Sequence, residues 1–542
     1  MQNTQNGALI FCKLASIGKN EQIMTVEKAK KVIVKEGDFD TIKQNNRLGG
    51  ALLKKYYLAI DIGASSGRHI LGSVEQGRIV LEEIYRFENR QRYLRGHDCW
   101  DVEEIYRQIV LGLKCCAQRG KIPETMAIDT WAVDFVLVSA DGQRIGDAVT
   151  YRDKRTEHAD TAWEDVLPFE KLYAETGIQR QKFNTVYQLL ALKEEHPEQI
   201  AEADRMLMIP DYLNYLLTGK MAQEYTVASS TGLLHATRRD WDRALIRRAG
   251  LPDRLFGELS FPGTILGGLR EELREELGFD CQAILSASHD TASAFLAVPS
   301  ESREAVYLSS GTWSLLGVEN TEPVIHPAGM AANFTNEGGA YGTYRYLKNI
   351  MGLWMLQGLL REVNGEAYMQ GRQQVTRERI GRKLDFPTLA ALAEEAEDFQ
   401  SVVDVDDAGF LAPDSMSQAI RDYCRRSGQV EPQTVGETAQ CIYRSLSRRY
   451  AEAIGELEKL NHITYRGINI VGGGCQDSYL NRLTAAATGI PVYAGPVECT
   501  ALGNLLVQMI AAGEFCDIHA ARAAVKDSFE IVEYKSEEGE AP

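Results

Sequence analysis

The octapeptide Leu-Ser-Ala-Ser-His-Asp-Thr-Ala at 285–292 sets a carboxylate, Asp290, among small residues at the end of an apolar run. A carboxylate so placed takes a proton from a substrate hydroxyl when an electrophile is held opposite it. Taken alone, His289-Asp290 is the kind of pair that satisfies itself inside a core. The small side chains of Ser286, Ala287, Ser288, Ala292 and Ser293 leave room for a ligand, and the apolar segment that follows predicts a strand-to-helix junction at Asp290, where ligand-facing residues of α/β sheets belong.

Three further small-residue loops close hydrophobic strands and suit phosphate and adenosine. The first, Asp61-Ile-Gly-Ala-Ser-Ser-Gly-Arg68, lacks the Gly-Lys-Ser/Thr of a helix-opening nucleotide loop and runs on into a β pattern. It reads either as a plain hairpin turn or as a nest of N–H groups for a phosphate, with Arg68 adding charge. Asp61, flanked by Ile60 and Ile62, is costly to bury without a cation, a need that Mg²⁺ or its waters would meet. Ser309-Ser310-Gly311-Thr312 closes the corresponding strand of the second half, and Gly472-Gly473-Gly474 lets backbone approach a flat ligand. A second polar set, Thr335-Asn-Glu-Gly-Gly339 and the segment Tyr344 to Gln357, is predicted to open an apolar helix, with Asn349 and Gln357 eight residues and about 80° apart on it.

The elements that must position these groups follow from periodicity. Tyr56 to Ile62, the run after the Ser-Ser-Gly turn and Arg78 to Tyr85 predict an antiparallel meander. Asp101 and Glu104 start an amphipathic helix over 101–118, with Ile105, Ile109, Leu113 and Cys116 on one face, and 126–138 reads as one buried strand. A linker at 298–304 precedes a second strand, Ser/Gly turn and strand, so the architecture is predicted to be duplicated. The expected domains are 56–298 and 299–530, between a leader over 1–55 and an acidic tail over 531–542. The leader is polar and Lys-rich. Gly49-Gly50 would encode a purine-rich ribosome-binding site ahead of an alternative start near Leu53-Lys-Lys, so the leader reads as flexible or as a start-site artefact.

With 542 residues, 44% hydrophobic and 25% charged, the chain has material for two cores. A net charge of -17 argues against a general nucleic-acid or anionic-membrane surface, so any phosphate site must be local. The apolar runs are too short to span a bilayer, and a cytoplasmic protein, monomeric or weakly homo-oligomeric, is expected. Ten cysteines without a Cys-x-x-Cys pair, and nine scattered histidines, fit neither a disulfide framework nor a transition-metal site. Cys424 and Cys441 read as packing thiols.

Together these segments, with Ile128-Asp-Thr-Trp-Ala-Val-Asp-Phe135, Tyr151-Arg-Asp-Lys-Arg-Thr156, Pro210 to Lys220, Leu308 to Leu315, Leu347 to Trp354 and Val471 to Gln476, resemble the FGGY carbohydrate kinases, in order from about residue 56 to about 530. The resemblance implies an α/β protein of two ribonuclease H-like, actin-type ATPase domains with a cleft between them. It implies transfer of the γ-phosphoryl group of Mg-ATP to the 1-hydroxyl of L-rhamnulose. By the same resemblance Asp290 is the proton acceptor, with Ala132, His289, Thr291 and Asn349 around the sugar. Ala64, Ser65, Ser66, Gly67 and Arg68 form the first phosphate loop; Thr312, Gln357 and Gly473 are ATP contacts. Ala132 departs from the family pattern, which has glycine there, and keeps other ketoses such as L-fuculose, L-ribulose or L-xylulose as alternatives. An ATP-binding chaperone or filament protein on the same fold is the rival of another class; it needs no sugar-side carboxylate.

Overall fold

Tyr57–Ile62 is buried at every position and carries apolar side chains on both faces, the mark of a central strand. In the computed structural model, which describes residues 54–366, 368–370, 373–375, 383–411 and 413–536, it pairs antiparallel with Ser66–Glu75, and that strand with Arg78–Glu88. The two-residue turn Gln76-Gly77, both at positive φ (52° and 80°), makes the second hairpin tight. On its other side Tyr57–Ile62 runs parallel to Thr125–Thr130, beyond which lie Gln282–Ile284 and, at the edge, Ile265–Gly267. The crossover is helix Val102–Gln118, capped by Asp101 through the Glu104 N–H and burying Ile105, Ile109, Leu113 and Cys116 against the sheet.

The second half repeats this path. Ala305–Ser310 is central, antiparallel to Trp313–Asn320, which pairs with Tyr344–Met351 and, through it, Thr335–Gly338. The parallel partners are Gly467–Val471 and then Val492–Ala494, reached through helix Val435–Asn461, which opens on a capping box between Thr434 and Glu437. In both sheets the central strand lies between an antiparallel hairpin partner and a parallel strand, with a further antiparallel strand beyond the partner and a further parallel strand beyond the parallel one. The expected duplication is therefore present in topology.

Three expectations are corrected. The predicted strand over 126–138 is two strands, Thr125–Thr130 and Phe135–Val138, in different sheets. The break falls where Val133 takes φ +66° and the Asp134 carboxylate accepts bonds from the indoles of Trp100 and Trp131. Residues 344–351 form a strand, and the helix begins only at Trp354. The acidic tail starts inside the fold: Val532–Tyr534 pairs antiparallel with Val492–Ala494. The predicted leader and alternative start lie outside the described residues, apart from Lys54 and Lys55.

Helices Asp290–Leu296 and Cys499–Ala511 pack together where the halves meet, in an apolar cluster that joins Tyr57, Ala59 and Ile70 of the first sheet to Tyr307 and Leu347 of the second. A Cβ on Gly503 would lie 1.8 Å from the Ser293 carbonyl oxygen, so these helices touch backbone to backbone. Cys499–Ala511 also crosses into the first half. Asn504 donates to Ala127 O and the Asp129 carboxylate; Gln508 donates to Leu58 O and accepts from Thr125. Each side of the expected boundary at 298 has an apolar cluster of its own, and this helix with the shared cluster ties the two sides together. No helix among the described residues is long and apolar enough to cross a membrane.

Candidate active site

The turns at the ends of both sheets surround one cavity of about 380 Å³. It is lined by Asp61, Ala64, Ser65, Ser66 and Arg68 of the first hairpin, Ala132, then His289, Asp290 and Thr291. Thr312, Asn349 and Gly473 of the second half face them.

Asp290 is the first residue of its helix, with His289 as the N-cap. The Thr291 N–H and hydroxyl donate to Oδ1, at 2.6 and 3.1 Å, and no partner among the described residues takes Oδ2. The side chain keeps 32% of its surface exposed. Burial raises its proton affinity above the ordinary carboxylate range, with the Asp61 charge adding to this and His289 and Thr291 opposing it. His289 Nε2 lies 3.4 Å from Oδ1, and its Nδ1 lies 3.2 Å from Glu337 and 3.0 Å from Arg345, which is wholly buried and pairs with Glu337 at 3.1 Å. Burial works against the charge on Glu337; Arg345 and then His289 outweigh it and hold that carboxyl low. The loop before Asp290 hangs on Glu224, which accepts from Ser288 N, Thr226 N, Val227 N and the Thr226 hydroxyl.

The first phosphate turn is fixed by Asn89, which donates to Gly63 O from its amide and to Ser65 O from its backbone. Arg68 does not stand free for a phosphate. Its Nη2 meets Asp61 Oδ2 at 2.8 Å and Glu498 at 3.1 Å, so two carboxylates already hold it. Behind Asp61, in register on the neighbouring strand, Asp129 is fully buried; one oxygen accepts from Asn504 and the other has no partner among the described residues. Burial, with Asp61 next, raises its proton affinity well above normal. Asp61 and Asp290 are hard oxygen donors on the cavity wall, with Asp129 behind Asp61, and they suit a divalent cation that keeps most of its waters.

In the second half, Gly311 O and Thr312 O accept from Leu353 N and Trp354 N, tying the turn to the following helix. Gly474 serves packing: an added Cβ would lie 2.0 Å from Ser310 Oγ, whereas Gly473 faces open space on the cavity wall. Two guanidinium groups lie against the Trp354 indole, Arg361 at 4.4 Å and, from the first half, Arg152 at 5.3 Å.

Two expected contacts lie off the wall. Gly67 sits within the paired strand, where an added Cβ would strike the Phe87 ring at 2.2 Å, so packing requires its glycine. Gln357 is half-buried on helix Trp354–Val363, away from the cavity lining. Asn349 is on the wall, but on a strand opposite Leu315 rather than on a helix with Gln357; its Oδ1 is buried without a partner among the described residues.

Residues 56–297 match the N-terminal domain of the FGGY family of carbohydrate kinases, and residues 306–512 its C-terminal domain. The chain belongs to this family. Among FGGY relatives, a rhamnulokinase of Oceanobacillus iheyensis is 46% identical over 477 residues, 88% of this chain and 97% of the relative. Rhamnulokinases of Halalkalibacterium halodurans and Bacillus subtilis are 45% and 42% identical, over 90% and 88% of this chain and 100% and 94% of theirs. The fold is shared with solved sugar kinases. A gluconate kinase from Lactobacillus acidophilus has a TM-score of 0.71 at 17% identity, over 89% of this chain and 94% of that one. A Plasmodium falciparum glycerol kinase with ADP has 0.68 at 14%, over 89% and 95%.

This FGGY kinase places Glu337 of the polar segment 335–339 on the wall and also brings to the cavity residues that the sequence did not single out for it: Ile178, Gln179, Phe183 and Asn184 on the wall, with Glu224 and Asp129 behind it. Glu224 had no legible signal, because its acceptor role depends on Ser288, 64 residues away. Asp129 was visible as a polar residue inside an apolar strand, the same signal that marked Asp61.

Proposed function

We propose that this FGGY kinase is a rhamnulokinase, transferring the γ-phosphoryl group of ATP to the 1-hydroxyl of L-rhamnulose to give L-rhamnulose 1-phosphate and ADP, in the cytoplasm, in L-rhamnose catabolism. The observation that carries this reading is 45–46% identity, over nearly the whole length of both chains, to relatives named rhamnulokinase. The cavity supplies a mechanism. Asp290, through the carboxylate oxygen left free by Thr291, takes the proton of the sugar 1-hydroxyl as the hydroxyl oxygen attacks the γ-phosphorus in line; the bond to the β,γ-bridging oxygen breaks and ADP carries away the charge. His289, Thr291, Asn349 and the backbone at Ala132 orient the sugar. The turns at 63–66 and 309–312 offer N–H groups to the phosphates, and Gly473 gives the adenosine a surface without a Cβ. Mg²⁺ arriving with ATP would be held through water by Asp61, with Asp129 behind it, and would offset charge on the transferring group.

Incubation with L-rhamnulose and Mg-ATP, followed by mass and NMR identification of the product, tests the reading; absence of a 1-phosphate would sink it. Asp290→Asn is expected to lower kcat by about 10² to 10⁴ with little change in sugar KM. Ala132, on the cavity wall where the family pattern has glycine, favours a second reading, a kinase for another ketose such as L-fuculose or L-ribulose. ADP release measured across a ketose panel separates the two.

A further inference from the structure

The loop over 177–184 joins helix Phe169–Thr176 to helix Thr185–Glu195 and sends Ile178, Gln179, Phe183 and Asn184 to the cavity wall. Its backbone is held from several sides. Gly177, at φ +67°, caps the first helix, and its carbonyl accepts from both the backbone N–H (2.9 Å) and the amide (3.1 Å) of Asn336; a Cβ there would strike that amide at 2.8 Å. Arg180 N donates to Asn333 Oδ1, and the Asn184 amide donates to Gln179 O. The loop is thus preset before any ligand arrives.

Within this rigid frame the Gln179 side chain is only 4% exposed, and its buried Oε1 has no hydrogen-bond partner among the described residues. Neighbouring buried amides are satisfied: Gln188 donates to Val133 O, the Asp134 carboxylate and Phe183 O, and Asn336 donates to Val324 O and accepts from Val324 N. A buried amide left unpaired is destabilising, and folded proteins retain few of them. Its surroundings indicate which ligand completes it. Thr185 and Gln188, just past the loop, bind the carbonyl of Val133, next to Ala132. Asn336, which clamps Gly177, precedes Glu337, the partner of His289. Both links lead to the sugar-side segments rather than to the phosphate turns.

We propose that the Gln179 amide recognises a ketose hydroxyl other than the one phosphorylated, and so sets sugar specificity. This rests on the ketose-kinase reading. A sugar hydroxyl both donates and accepts, so either orientation of the amide can pair with it. The test compares wild type with Gln179→Met, of similar length and without polar ends, on L-rhamnulose and its 3-, 4- and 5-deoxy analogues. In the wild type one analogue should lose about 10- to 100-fold in kcat/KM, because the amide is left unpaired. In the variant L-rhamnulose should fall by a similar factor, that analogue's disadvantage should vanish, and the KM for ATP should hold. Where methionine disturbs folding, as judged by thermal melting, Gln179→Ala gives the same comparison. An unchanged sugar KM in a folded variant, or wild-type discrimination among the analogues in that variant, overturns the proposal. A wild type inactive on L-rhamnulose counts against the substrate reading alone, and the comparison is then made on the ketose it does phosphorylate.

Discussion

Asp290 must be ionised to act as a base, and its proton affinity is raised by burial and by Asp61 while His289 opposes the rise. The sign for activity follows directly. Turnover is full above the raised pKa and falls as pH drops through it, so the acid limb of kcat should lie above the ordinary Asp value of about 3.9. Replacing His289 with Gln removes the opposing group and should move that limb to still higher pH, as read from a kcat–pH profile; an unmoved limb would rule out His289 as an electrostatic partner of the base. Asp290 was legible in the sequence because a carboxylate between small residues at a strand end is a local pattern. Gln179 was not, since an amide is marked as unpaired only when the segments around it, Val133 and Asn336 among them, are known to be satisfied by others.

The strands that carry Asp61 and the first Ser/Gly turn were readable from periodicity, as was helix Val102–Gln118 with its Asp101 cap. The misread element is Tyr344–Met351. Its mixture of Arg, Lys and Asn with apolar residues fits either period, and tertiary pairing along all of Trp313–Asn320 decides for a strand. The contact between helices Asp290–Leu296 and Cys499–Ala511 gives an element-scale prediction. Gly503→Ala puts a methyl against a backbone carbonyl that cannot rotate away, and should destabilise by about 1–3 kcal/mol or more. Gly455→Ala, in helix Val435–Asn461 with nothing within 4 Å of the new carbon, should stabilise by about 0.5–1 kcal/mol. Denaturant unfolding of the two variants should therefore move in opposite directions from wild type; equal shifts would contradict the close packing at Gly503.

Across the molecule, buried acids set how stability depends on pH. Burial pushes Glu224 up to about 7 against four opposing hydrogen bonds, and Asp134 up to about 6. Both affinities are higher folded than unfolded, so the folded state binds the proton more tightly. The stability this contributes is complete below the unfolded values, about 4, and is lost as pH rises through the folded ones. Glu224→Gln carries no such proton and should flatten the fall in unfolding free energy between about pH 4.5 and 7, whatever its constant offset; parallel wild-type and variant curves would refute the assignment. The duplicated topology was legible at this scale from two strand, turn and strand series. The crossing of helix Cys499–Ala511 into the first half was not, because Asn504 and Gln508 read as ordinary helix residues until their partners on Thr125–Thr130 and Tyr57–Ile62 are seen. That crossing has a consequence for biosynthesis. Domains generally fold as units, the N-terminal one first, as the chain leaves the ribosome. Here the side chains that satisfy Asp129 and Leu58 O are translated more than 370 residues later, so the first sheet stays incomplete until nearly the whole polypeptide has emerged.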